Sequence, residues 1–564
     1  MPWLYGQIEV QGIIKMLLSI CISVMSMMDH QKIAHGRTES YLKLKGVMMS
    51  KIKVNIINNK ILVLVIAGVF ALGGCATSYR KQMTETLKST QTGSREVGLA
   101  ELEKNNAGLD KSLLYYLEKG ELLRMQGSLP ESRDSFLVAD GTVRQWEEAV
   151  KTDPSKIMGE IGSFLINDTT RRYEGRDYEK VLLSTRLALN HMAIGDWDAA
   201  RVEIKKMHER EAVIADFRSK EIEEAKNGAA EQGLKVTSFK ELNGYPVETL
   251  TSPEVLALKN AYESSFANYL AGFIYEAQNE GSLAAAGYRK AIEIGGENKA
   301  LVDGLKNLDA RIGKMGANGA GVDTLIVSES GAAPVLKSVS LPIPLPIPSG
   351  DGLRIVLTPL SWPVIEGGSS EHTQHILIGD KKFNPTLITN VDHMARRALS
   401  DEMPGIIFRS SVRAIAKGAA QKVVQDNAAS LGPFGALISI ATSITAVVSE
   451  QADERIWGSL PGRFSIVRVS LPAGAHRVTL DTPTGPVTKD VQISGSHALV
   501  TLRSTGNSVY LTQSPYDSSK VAMHQMVPEA VVADAESKSK ASAKKKNAKP
   551  KVLAVKESDA EMKK

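Results

Sequence analysis

Cys75 carries the most distinctive chemistry in this chain of 564 residues, and Cys21 is the other cysteine. Two cysteines exclude a disulfide scaffold and a four-cysteine zinc site. The one close histidine pair after Cys75 lies in Glu371-His372-Thr373-Gln374-His375. Two imidazoles at that spacing could share a helix turn and hold zinc with His393 or Asp392, but zinc needs further ligands and a held geometry. Gly367, Gly368 and the serines after them place the pair in a loop, so exposed loop histidines are the plainer reading. His-Glu-x-x-His, Gly-x-Ser-x-Gly and the phosphate-binding Gly-x-x-x-x-Gly-Lys-Ser/Thr are all absent. Glu147 and Glu148 occupy adjacent helical positions and do not face each other. The residues therefore predict no enzyme, no metal and no cofactor.

The segment that would position Cys75 is more informative. Lys51, Lys53 and Lys60 precede an uncharged run from Ile61 to Ala71, and Leu72-Gly73-Gly74 lead into the cysteine. A basic head, a short apolar core and small residues form a secretory signal, and the core falls short of the ~20 residues of a spanning helix. The Leu-Gly-Gly-Cys ending resembles the lipobox of bacterial lipoproteins. That resemblance implies diacylglycerol on the Cys75 thiol, cleavage before it, and an acyl chain such as palmitate on the new amine. Two or more chains hold a protein on a membrane, where one binds marginally. A signal anchor that is never cut is the alternative. Ala76 takes the place where aspartate would imply inner-membrane retention, so the resemblance predicts the periplasmic face of the outer membrane. Residues 1–47 hold a second apolar stretch broken by Lys15, and fit a start codon placed too early better than a working anchor.

Charge argues against nucleic acid. The chain has 68 basic and 63 acidic residues, but residues 75–536 carry 50 basic and 57 acidic ones. A nucleic-acid binder would be expected to keep its basic excess on the folded body.

From about Lys111 to Lys314, leucine, alanine and charged residues recur at helical spacing, and Gly127, Gly195 and Asn279 interrupt where helices would turn. Within FANYLAGFIYEAQNEGSLAAAGYRKAIE, residues Gly272, Tyr275, Ala284, Tyr288 and Ala291 match the small–large spacing of the tetratricopeptide pattern. A looser copy has Gly120, Leu123, Gly127, Phe136 and Ala139, with Ser132 in place of alanine. A third has Ala188, Gly195, Ala200, Ile204 and Met207, with His191 where tyrosine is commoner. A generic helical bundle that needs small residues for close packing is the competing reading. The phrases RRYEGRDYEKVLLSTRLALNHMAIGDWDAARVEIKK, GAAPVLKSVSLPIPLP and ADERIWGSLPGRFSIVRVSLPAGAHRVTL are similar to those of a family of uncharacterised Gram-negative lipoproteins with tetratricopeptide-like repeats. Its members often lie near lipoprotein activators of peptidoglycan synthases, which implies a role in cell-envelope assembly.

The expected fold is multidomain: an all-α tetratricopeptide-like solenoid, then an α+β domain, then a disordered tail. Residues 1–74 form the signal region, 75–109 the lipidated cysteine and a tether followed by an entry helix, and 110–315 the helical domain. Residues 316–350 form a Gly/Pro-rich connector that could supply edge strands, since LPIPLPIP forbids helix. Residues 351–515 form the α+β domain, with strands in LRIVLTPL, HILIG, FSIVRVSL, HRVTLD and HALVTL flanking a helical stretch from about 390 to 448. The uncharged run 428–448 is broken by Gly432, Pro433 and Gly435 and reads as a core helix rather than a span. Arg409, Arg413 and Lys417 share a helix face. Asp453, Arg455 and Trp457 are expected to fix the join between that helical stretch and the next strand. Residues 516–564 are too polar to offset chain entropy. The function expected is a lipid-anchored periplasmic scaffold or adaptor that binds envelope proteins through its repeats. The alternatives are a lipid-anchored envelope hydrolase with an unrecognised site, or a structural part of an export machine. Oligomeric state stays open.

Overall fold

The computed structural model describes residues 79–108, 110–153, 172–231, 245–312, 321–349, 352–367, 373, 375–407 and 452–514. Cys75, His372, Arg409, Arg413, Lys417, the run 428–448 and the tail lie outside them.

Helices come first, as four hairpins. Helix α1 (Tyr79–Gln91) pairs with α2 (Arg95–Asn105), α3 (Leu113–Gln126) with α4 (Leu129–Thr152), and α5 (Asp177–Ile194) with α6 (Trp197–Glu231). After a short α7 (Pro253–Leu256), α8 (Ser265–Ala277) pairs with α9 (Gly281–Gly295), followed by α10 (Lys299–Lys306) and α11 (Leu308–Arg311). The three turns anticipated from sequence have positive φ: 83° at Gly127, 97° at Gly195 and 61° at Asn279. Among the described residues, no helix is long and apolar enough to cross a membrane.

The strands are β1 (Val322–Ala332), β2 (Val335–Ser349), β3 (Gly352–Glu366), β4 (Ile376–Ile378), β5 (Lys381–Phe383), β6 (Thr386–Asn390), β7 (Pro461–Leu471), β8 (Gly474–Thr482), β9 (Gly485–Ile493), β10 (His497–Thr505) and β11 (Ser508–Gln513). Residues 391–407, here α12, are helical between β6 and β7. A five-stranded sheet runs β11-β10-β1-β7-β6, a four-stranded sheet runs β5-β4-β8-β9, and among the described residues β2 pairs with β3 alone. Strand β1 is parallel to β10 and antiparallel to β7.

Period-2 alternation splits the five-stranded sheet between two cores. Leu325, Val327, Phe464, Ile466 and Leu499 join the helices in one large cluster. Ile326, Val467, Val500 and Leu502 face the other way and pack with Ile376, Val478 and Ile493 of the four-stranded sheet. The result is three layers, with helix pairs, five strands and four strands stacked in that order.

This arrangement differs from the expected partition in three places. The stretch read as a tether and one entry helix contains the hairpin α1–α2, anchored by buried Met83, Leu99 and Leu102. The stretch read as a connector contains β1, the middle strand of the five. The helices and the sheet share one core instead of standing as separate domains. The physical reason is common to all three: α3, α5 and α8 are buried nearly all round, and a helix with no polar face needs cover on every side.

Candidate functional site

The repeat positions form the seams of the hairpins. A Cβ on Gly120 would lie 2.4 Å from the Phe136 ring, and one on Gly272 would lie 2.6 Å from the Tyr288 ring. Only glycine lets these helices approach so closely. Leu123, Ala139, Ala188, Ala200, Tyr275, Ala284 and Ala291 are buried beside them. Ser132, the departure from the usual alanine, donates to the Gly120 carbonyl at 2.6 Å and accepts from Asn190 at 2.9 Å.

The first helices of the pairs are covered by the chain's own sheet. Phe266 of α8 stacks on Phe464 of β7, with centroids 4.6 Å apart and planes 11° from parallel. Two carboxylates hold the segment before β7. Glu118 accepts the Gly458 and Ser459 backbone N–H groups at 2.7 and 3.0 Å and the Tyr79 hydroxyl at 2.6 Å. Glu179 accepts the Trp457 N–H at 2.7 Å. Trp457 itself is fully buried against Phe136, ring centroids 5.7 Å apart. It therefore joins the segment to the helix pairs, and the end of the helical stretch it was expected to join lies outside the described residues. Burial pushes Glu118 up to about 7 in spite of its three donors.

Beneath β1 lies an ionic network with no solvent access. Arg186 forks between Glu121 of α3, at 2.9 Å from Nε, and Glu329 of β1. Burial opposes ionisation of Glu329, but Arg186 and Arg124 outweigh it and hold its carboxyl below the usual range. Burial, with Arg186 alongside, lowers Arg124 to about 10. Arg186, with Glu121 and Glu329 as its anionic partners, thereby ties α3, α5 and β1 together.

A second cluster joins α8, β1 and β10. Glu276, Asp323 and His497 offer potential ligand atoms within 4.8 Å of one another, all buried or nearly so. Their oxygens are already engaged. Arg468 Nε reaches Asp323 Oδ1 and Oδ2 at 3.0 and 3.1 Å, Arg311 reaches Glu276 at 2.7 and 3.0 Å, and the Tyr288 hydroxyl donates to Glu276 at 2.6 Å. Two guanidinium groups beside the carboxylates oppose a divalent cation, so the donor set suits an ion-pair network. Burial lowers the His497 imidazole below its usual range against the pull of Asp323 and Glu276.

Of the close histidine pair, His375 lies among the described residues and His372 outside them. His375 Nε2 lies 2.8 Å from Asp481, and Asp392 receives Arg396 at 2.8 Å. A cavity of about 90 Å³ opens between Trp146, Tyr173 and Phe217. Of the cations lining it, Arg176 pairs with Glu402 at 2.7 Å, and Lys180 with Asp177 at 3.3 Å and over the Trp146 ring at 3.5 Å.

Outward-facing apolar residues are concentrated elsewhere. Among the described residues, eight large apolar side chains are exposed: Val97, Leu137, Val138, Val202, Ile222 and Leu283 lie on the second helix of a pair, whereas Leu256 ends α7 and Leu387 lies on β6. Sequence reasoning named none of them, nor Glu118, Glu179, Arg186 or Glu329. The available signal was charge placed among the leucines of LLYYLEKGELLRMQ, where no polar face exists to hold it.

No protein-family model and no curated protein matches the chain. Among solved structures, a tetratricopeptide repeat protein from Parabacteroides merdae is similar at 13% identity, over 42% of this chain and 100% of that one, with a TM-score of 0.12. The C-terminal part of a TPR repeat-containing protein from Cytophaga hutchinsonii is similar at 12% identity, over 45% of this chain and 98% of that one, with a TM-score of 0.11. Likeness of this degree carries no argument about fold or function.

Proposed function

We propose that the protein is a lipid-anchored scaffold of the bacterial cell envelope, held at the periplasmic face of the outer membrane through Cys75, and that it binds partner proteins with the outer surface of its helix pairs. The observation that supports this surface is the placement of exposed apolar residues on second helices. The first helices are taken up by the sheet, so partners meet α4, α6 and α9. A contiguous apolar patch marks an interaction site, whereas single exposed apolar residues do not, and the adjacent Leu137 and Val138 of α4 are taken as the centre of such a patch.

The anchor and the surface are tested separately. Palmitate labelling of cells should mark the wild type and be lost in Cys75→Ser; unchanged labelling refutes the anchor. A photocrosslinker at Leu137 should capture discrete partners in intact cells. The same capture should fail when Val138→Asp and Val202→Asp are added at unchanged melting temperature. Persistent capture by that variant refutes the surface.

A further inference from the structure

The cavity between Trp146, Tyr173 and Phe217 is built where three helices and a turn converge. Helix α4 supplies Trp146, the segment entering α5 supplies Arg172 and Tyr173, and α6 supplies Phe217. Its rings are fixed by the protein around them. Phe217 meets Trp146 with centroids 5.5 Å apart and planes 77° from parallel, and the Tyr173 hydroxyl donates to Glu179.

The carboxylates that line the cavity already have partners. Glu402 receives Arg176 at 2.7 Å and Arg218 at 3.4 Å, and Glu221 receives Arg218. Asp453 receives Arg455 at 2.8 and 2.9 Å, and Glu174 is engaged as well. Three of the lining cations are neutralised in the same way, Arg176 by Glu402, and Lys180 and Arg218 by Asp177. Arg172 is the exception. It is exposed and has no partner among the described residues.

A second donor is also left over. Trp146 is buried, and its indole N–H meets no acceptor among the described residues. Buried donors in folded proteins are almost always paired, so an orphan on a cavity wall calls for an acceptor from the cavity. Both unmet groups are donors, and one of them carries an uncompensated positive charge. A ligand that completes the site therefore brings oxygen acceptors and one negative charge. The planar guanidinium fork matches a carboxylate in two parallel hydrogen bonds. A phosphate dianion would need a second unpaired cation. Size limits the rest of the ligand: the cavity of about 90 Å³ is smaller than the ~150 Å³ that takes a benzene ring, so the stem must be short.

We propose that this cavity binds a carboxylate on a short apolar stem, with the Arg172 guanidinium and the Trp146 indole N–H on its oxygens and the stem against Tyr173 and Phe217. The site needs neither the anchor at Cys75 nor the outer surface of the helix pairs. A free small acid and the carboxylate end of a peptide chain present the same chemistry.

The test uses the purified full-length protein and saturation-transfer NMR titrations with propionate, propionamide and methyl phosphate. Propionate should saturate, and propionamide, which has its shape without its charge, should bind at least about tenfold more weakly. Arg172→Gln should reduce propionate to the level of the amide at unchanged melting temperature. Trp146→Phe, which keeps a ring beneath Lys180, should weaken propionate several-fold. Equal binding of acid and amide overturns the proposal, as does unchanged propionate affinity in Arg172→Gln. Tighter binding of methyl phosphate than of propionate overturns the single-charge assignment. Acetyl-alanyl-alanine and its C-terminal amide separate the two sources. Binding of the peptide acid about tenfold or more tighter than propionate, lost in the peptide amide, assigns a chain end; anything weaker assigns a free small acid. Absence of saturable binding by both propionate and the peptide acid overturns the site.

Discussion

Neutralising Glu118 should change how stability depends on pH. The carboxyl is fully buried and raised from 4.5 to about 7 by loss of solvation. The folded state therefore binds a proton between these values that the unfolded state has released. Its contribution is complete below pH 4.5 and is lost as pH rises through 7. A shift of this size is worth ~3 kcal/mol. Glu118→Gln cannot ionise, but its amide N–H₂ must meet one donor, the Gly458 or Ser459 N–H, which costs ~1–3 kcal/mol at every pH. Urea unfolding at pH 5, 6, 7 and 8 should show the variant well below the wild type at pH 5 and nearly level with it at pH 8. Subtracting the two curves removes the histidines, which are common to both. Parallel curves separated by a constant amount would refute the account of Glu118 as a proton-binding latch.

Two further outcomes follow from the packing and the buried imidazole. Gly272→Ala and Ala284→Phe should each overpack the α8–α9 seam and cost ~1–3 kcal/mol, whereas Tyr288→Ala should cost ~3–5 kcal/mol; unchanged thermal melts of all three would refute the seam. His497 faces Asp323, Glu276, Arg468, Arg311 and the edge of Phe273, and its value is lowered from 6.5. The unfolded state then binds the proton first, so stability should fall as pH drops below 6.5, and His497→Phe should remove part of that fall.

Much of the helical layer was legible because its contacts are local. Gly120 meets Phe136, and Gly272 meets Tyr288, across a single turn, so the spacing of small and large residues records the contact directly. The five anticipated strand phrases also fall in strands, because alternation and β-branched residues report a pleated surface without reference to its partner. Where α1 and α2 pair, only one entry helix after a tether was read, because the polar composition hides the few apolar residues that dock the hairpin. Strand β1 escaped because a run buried on both faces loses its alternation.

What the sequence by itself determined is three of the four helix pairs and the turns within them. Tertiary structure alone decided which face of the pairs is free. Glu118 meets Ser459 across 341 residues, and Arg186 meets Glu329 across 143. A hydrophobic pattern says that a face must be buried, but the same pattern serves a neighbouring helix, a partner protein or a distant strand of the same chain. Here the strand won, because α3, α5 and α8 have no polar side to leave in water.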